Sequence, residues 1–277
     1  MLDNIFYQSW LGAGISLTGE TPVSKDLLLR PCSIESHIDN LRHRAASQFE
    51  YGLLCSIAPS ITFELRSSGA TAQEAAIKSW NDQYSLTFMS ILLRTFVPHL
   101  IQVSGGCSAD LERPLLVSFT CGLMTLRDKP KSPSTAELQT WVRLLPRFSH
   151  LLQTERFRFA VSVASTLYVQ PNPTLQVASI FSAIEALLDI DQELRFRIAM
   201  IVSKLLASDP TERLNLFKRM KRLYDGRSKC VHGGGLARDR VIECRDASLE
   251  ILRQLVLYFV ERDSLLGRQE LEALLVA

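Results

Sequence analysis

From Leu223 to Gly235 the chain reads LYDGRSKCVHGGG, which brings Tyr224, Asp225, Arg227, Ser228, Lys229 and His232 together just before three glycines. A guanidinium presents a fork of N–H donors suited to a phosphate diester. An imidazole is the side chain that gains and loses a proton near neutrality. Arg227 and His232 thus make a candidate phosphate-backbone site, with the imidazole a candidate proton shuttle. Ser228 is also four residues from His232, but a serine nucleophile needs an orienting acid that the sequence does not place.

These residues sit at the end of an amphipathic helix. Asp209 is suited to cap it, with Pro210 at the first helical position and Glu212 at the third. Phe217, Met220, Tyr224, Arg227 and Val231 recur three or four apart and define the face expected to be buried. Ser228 and His232 are neighbours beside that stripe. Arg227 and His232 are about 140° apart around an ideal helix, so they converge only if the arginine bends round or the last turn distorts. Gly233 supplies the left-handed residue that closes a helix. His232 is then at the negative end of the helix dipole, which favours its protonated form while a nearby arginine opposes it.

The surroundings are basic. The chain as a whole carries only +2. Between Thr211 and Arg245, ten Lys and Arg stand against four Asp and Glu, so the rest is net negative. Such a patch fits a nucleic-acid backbone, with Lys221, Arg222 and Lys229 the candidate RNA-binding residues, or it is a solvated helix face. The six cysteines form no Cys-x-x-Cys pair or metal framework and are expected to be reduced. No cofactor and no metal is expected. His37, His43, His99 and His150 have no ligand partners at metal spacing, and Ser104-Gly105-Gly106 reads as a turn rather than a phosphate loop. MLDNIFYQSW does not read as a secretory leader, and no apolar run is long enough for a membrane span. A soluble, cytoplasmic protein with no membrane partner is expected.

The elements that must position the site read as follows. Ile61, Phe63 and Leu65 alternate with polar residues as in a half-buried strand, and Leu115–Thr125 reads as a second. Between them Thr71 and Glu74 form a capping box. It opens a helix with Ile77, Trp80, Tyr84, Phe88, Ile91 and Leu92 as its apolar face, stopping near Pro98. Leu11–Glu35 shows no clear period. Arg127–Thr135, RDKPKSPST, is the linker candidate. Beyond it Ser134 and Glu137 open a helix to about Thr154, and another covers Glu155 to Val169. A third carries Val177, Phe181, Ile184, Leu187 and Leu188 on one face. A fourth carries Leu194, Ile198, Ile201, Val202 and Leu205. A last one follows the motif from about Arg238 to Leu266. The fold class is therefore mainly α, with a smaller mixed α/β amino-terminal region at 1–130 and a bundle of about five or six helices at 134–277.

The string from Leu223 to Gly234 resembles the motif of the Apea-like HEPN group, and Arg227–His232 matches the Arg-x4-6-His signature of HEPN domains at large. FSAIEALLDI, Phe181–Ile190, and LRFRIAMIVSKLLASDPTER, Leu194–Arg213, resemble the two helices that precede that motif. The likeness covers about a third of the chain and leaves the amino-terminal region unassigned. It implies a HEPN-like bundle that forms a homodimer with two motifs facing one cleft. It also implies a metal-independent endoribonuclease using the RNA 2′-hydroxyl as nucleophile, with Arg227 and His232 catalytic. Glu185 falls where the family carries an acid, as a partner for Arg227. Ser228, Tyr224 and Asp225 are the other supporting candidates, Tyr224 more in keeping with a core role. Such enzymes often act as toxins or phage-defence effectors, restrained or triggered by a regulatory protein. Many HEPN domains instead only bind RNA or assemble with a partner, which is the alternative reading.

Overall fold

A computed structural model describes residues 5–35, 38–42, 45, 47–105, 115–116, 129–167, 170–190, 192–233 and 235–276. They form a mainly α chain with one antiparallel sheet in its amino-terminal part. The chain divides into two compact units, Met1–Arg143 and Leu144–Ala277.

In the first unit, strands β1 (Phe6–Gly12), β2 (Thr21–Pro22), β3 (Leu27–Pro31), β4 (Phe63–Gly69), β5 (His99–Gly105) and β6 (Leu115–Leu116) pair in the order β2-β3-β4-β1-β5-β6. The stretch without a clear period thus holds the end of β1 and all of β2 and β3. The strands are short, and turns interrupt them before alternation can show. The strand read around Ile61 runs from Phe63 to Gly69, because Ile61 closes a 3-10 turn at Ala58–Ser60. Of the strand read at Leu115–Thr125, Leu115–Leu116 pairs with β5. The rest of that strand lies outside the described residues, as do His37 and His43.

Two further helices are α1 (Ile38–Leu41) and α2 (Gln48–Ile57). Helix α3 (Ala72–Leu93) is capped by Thr71, whose hydroxyl accepts from the Glu74 N–H at 3.1 Å. The Trp10 indole N–H donates to the Ser79 carbonyl at 2.8 Å, tying β1 to α3. Leu11, which alternates with Trp10 along the strand, joins Leu54 and Ile57 of α2 in an apolar cluster. The apolar face read for α3 is only half right. Phe88 and Ile91 are buried, but Ile77 and Trp80 are 56% and 59% exposed. The buried side toward the amino-terminal end carries Ala75 and Ser79 instead. Small side chains let the helix backbone approach β1, and a pattern drawn through the large residues follows the other side. The helix also stops before Pro98, at Arg94, which takes a left-handed φ of 51°.

Helix α4 (Thr135–Leu151) contains the boundary between the units. Its Ser134–Glu137 capping box is formed in both directions, with bonds of 2.8 and 3.2 Å.

The second unit holds α5 (Glu155–Thr166), α6 (Pro173–Leu187), α7 (Leu194–Leu206), α8 (Pro210–Val231), α9 (Arg238–Arg262) and α10 (Arg268–Val276). Val177, Phe181, Ile184 and Leu187 of α6 are fully buried, and α6 packs on α5, α8 and α9. Helix α7 runs against α8; it buries Ile198, Ile201 and Val202 and leaves Leu194 and Leu205 half-buried. The last helix ends at Arg262 rather than near Leu266, because Asp263 turns left-handed at φ 61°, and α10 follows. Among the described residues no helix is long and apolar enough to cross a membrane.

Candidate functional site

The motif ends α8. The Asp209 carboxylate accepts the Glu212 N–H at 2.9 Å and starts the helix. At the other end the His232 N–H donates to the Ser228 carbonyl at 3.0 Å. Gly233 then takes φ +71°, where a Cβ would be strained. His232 is thus the last capped residue of the helix, with its side chain exposed. Among the described residues no hydrogen bond joins its imidazole to the Ser228 hydroxyl.

Arg227 lies on the side of α8 that faces α6. Its Nη2 is 3.7 Å from Glu185 Oε1, with both side chains about one-fifth exposed. Its guanidinium also lies 5.5 Å from the centre of the Tyr224 ring. That ring meets Phe181 edge-on, with centroids 5.5 Å apart. The buried phenylalanine of α6 therefore sets Tyr224, and Tyr224 and Glu185 together set Arg227. Burial pushes the Glu185 carboxyl above its ordinary range, and Arg227 offsets only part of that. Burial likewise pushes the Tyr224 phenol up. A carboxylate that gains so little from its cation fits a pair too far apart to hydrogen-bond.

The face read as buried is not uniformly so. Met220 is buried, but Phe217, Tyr224 and Arg227 are half-buried and Val231 is 45% exposed. Helix α8 is highly charged, and its buried residue is Met220.

Asp225 is drawn away from Arg227. It accepts a hydrogen bond from Arg195 Nη2 of α7 at 2.7 Å and forms an ion pair with Arg195 Nε at 2.6 Å. Lys221 places its ammonium 5.3 Å from the Phe217 ring centre. Arg222 and Lys229 line an open groove between α8 and α9, floored by Leu223, Gly226, Cys244 and Ala247. The structure thus brings Arg227, Glu185 and Tyr224 together, and puts His232 at the helix end. Asp225, Arg222 and Lys229 are on other sides of α8. Among the described residues no cluster of three or more His, Cys, Asp or Glu is placed to hold a metal. His150 sits 3.2 Å from Asp263 at the surface, away from the motif.

Sequence reasoning missed three neighbours. Arg195 carried no signal, being 30 residues from Asp225. Cys244 lies against Gly226 of α8: a Cβ on Gly226 would stand 2.9 Å from its Sγ. A glycine inside a helix was the visible sign. Phe196 of α7 is 50% exposed and meets Phe217 edge-on at 5.7 Å. No protein-family model matches the chain, and comparisons with curated proteins and with solved structures give no match.

Proposed function

We propose that the carboxy-terminal unit is a HEPN-type endoribonuclease, metal-independent, that cuts RNA at Arg227 and His232. The observation that carries the reading is the seating of Arg227. Glu185 and Tyr224 hold its guanidinium without using up its hydrogen-bond donors, while His232 stands exposed at the same helix end.

In the proposed reaction the RNA 2′-hydroxyl loses its proton to an imidazole as its oxygen bonds to phosphorus. The phosphorus–5′-oxygen bond breaks, and the leaving 5′-oxygen takes up a proton. The products are a 2′,3′-cyclic phosphate and a 5′-hydroxyl. Arg227 neutralises the charge that grows on the phosphate oxygens. One histidine can return the proton it took, or two copies of the chain in a homodimer divide the acid and base roles. A role as toxin or phage-defence effector, under a regulatory partner, belongs to the same proposal.

A second reading is favoured by the same ion pair. An arginine that joins α8 to α6 through Glu185 is also a structural anchor, as expected of a non-catalytic RNA-binding or assembly module. The readings separate when purified wild-type, Arg227→Ala and His232→Ala proteins meet total RNA and tRNA in excess EDTA and the cut ends are mapped. Cyclic-phosphate ends made by wild type and lost in both folded variants support the enzyme. RNA binding or dimer formation without cleavage supports the module.

A further inference from the structure

We propose that Phe196 and Phe217, with Lys221, form a platform on which single-stranded RNA lies as it runs along α8 to His232. This rests on the ribonuclease reading and extends it to the form of the substrate.

The two rings meet edge-on at the surface, 5.7 Å apart. Phe196 is half-exposed and Phe217 is partly covered. The half-exposed Phe196 ring resting on Phe217 offers an aromatic surface, and the surroundings suit a ligand for it. Lys221 holds its ammonium over the Phe217 ring. Lys218 is exposed on the flank beside Lys221. Asp225 on this side is already paired with Arg195, so along this stripe Lys221 and Lys218 present positive charge beside aromatic surface. Lysine is depleted at the centre of protein–protein interfaces. Aromatic rings interleaved with cations are instead how single strands are bound without regard to sequence, each base stacking and each phosphate meeting a cation.

The stripe also leads to the motif. On a helix, Phe217, Lys221, Ser228 and His232 fall within about 60° of one another, and Phe217 lies about 22 Å along the axis from His232. A strand following that side reaches the histidine after a few nucleotides. Duplex RNA keeps its bases stacked inward and offers nothing to the rings.

The test uses the full chain on a His232→Ala background, with a fluorescent oligoribonucleotide long enough to span α8. Phe196→Ala should weaken binding roughly five- to hundredfold, the range for losing one stacked base, while the same sequence as a duplex should bind weakly with or without the ring. Phe159, 44% exposed on α5, serves as a control, and Phe159→Ala should leave binding unchanged. RNA carrying 5-iodouracil should photocrosslink to Phe196 or Phe217, a readout that needs no variant to fold. With His232 intact, Phe196→Ala should slow cleavage of the long strand but not of a dinucleoside monophosphate. If the parent protein binds long RNA and Phe196→Ala binds equally well, the platform is overturned while the ribonuclease reading stands. It is overturned too if Phe196→Ala slows long and short substrates alike, or converts a dimer to a monomer, which would make this face an interface between copies. No RNA binding or cleavage by the wild-type chain would remove both proposals.

Discussion

Glu185 Oε1 stands 3.7 Å from Arg227 Nη2, beyond hydrogen-bond reach yet close enough for attraction. Glu185 Oε1 and Arg227 Nε are both buried without a hydrogen-bond partner. The glutamate therefore attracts the guanidinium without clamping it, and under the proposed reading the Nη groups, not the buried Nε, would meet a phosphate.

Glu185→Gln should therefore cut the cleavage rate about tenfold to hundredfold, the scale of a misplaced catalytic group, with a smaller change in KM. Burial holds the Glu185 carboxyl above its ordinary range, so as pH falls it takes up its proton early and releases Arg227. An imidazole acting as base gives both proteins an acid-side decline. In wild type the Glu185 proton should add a second, making the profile steeper than in Glu185→Gln. Pre-steady-state rates across pH, with thermal melts of both proteins, check this. Equal steepness in the two would assign Glu185 to packing alone.

Gly226→Ala tests the contact between α8 and α9. Alanine in mid-helix ordinarily adds about 1 kcal/mol over glycine. Here its Cβ would lie 2.9 Å from Cys244 Sγ, and overpacking of that kind costs about 1–3 kcal/mol. The single variant should be no more stable than wild type. In a Cys244→Ala background the same change should stabilise by about 1 kcal/mol. Urea midpoints of the four proteins give the coupling, and simple additivity would argue against the contact.

In the amino-terminal unit, Glu64 is 2% exposed and accepts bonds from Ser9, Arg30 and Arg66 at 2.6, 2.6 and 2.8 Å. Burial alone would raise its carboxyl, but these bonds more than offset that and hold it below the ordinary range. Its folded value is thus lower than its unfolded one. Its contribution is full above the unfolded value and is lost as pH falls through the folded one. Glu64→Gln should cost about 3 kcal/mol, the lower end for a broken buried pair because both arginines reach solvent. It should also flatten acid unfolding. Hydrogen exchange of the β4 amides reports this unit separately from the helices.

His99 packs edge-on against Trp10, with ring centroids 4.7 Å apart, and burial lowers its imidazole from 6.5 to about 4. The unfolded chain therefore binds a proton that the folded one refuses. The stability of this unit should be full above pH 6.5 and decline as pH falls from 6.5 through 4. His99→Gln should remove that slope, as seen by tryptophan fluorescence during melting. A histidine NMR titration with an ordinary midpoint for His99 would contradict the burial argument.

What could be read from sequence was local. Thr71, Ser134 and Asp209 each announced a helix start, because a capping hydroxyl or carboxylate and its N–H partner are three residues apart. Gly233 announced the end of α8 by the same logic. The buried face of α6 was legible because Val177, Phe181, Ile184 and Leu187 are all large. The face of α3 was misread because its contact side is built from Ala75 and Ser79. At the site, the motif and its helix were visible. The removal of Asp225 by Arg195 and the meeting of Phe196 with Phe217 were not. Each joins residues on α7 and α8, and only the packing of the two helices brings them together.

The central claim is that the RNA supplies its own nucleophile beside Arg227 and His232. The most direct measurement takes an RNA whose cut site has been mapped and replaces the single 2′-hydroxyl at that site with hydrogen. Wild-type protein in excess EDTA should still bind this RNA and should no longer cut at that position, while neighbouring sites cut as before. Cleavage at the substituted position at an undiminished rate would contradict the account.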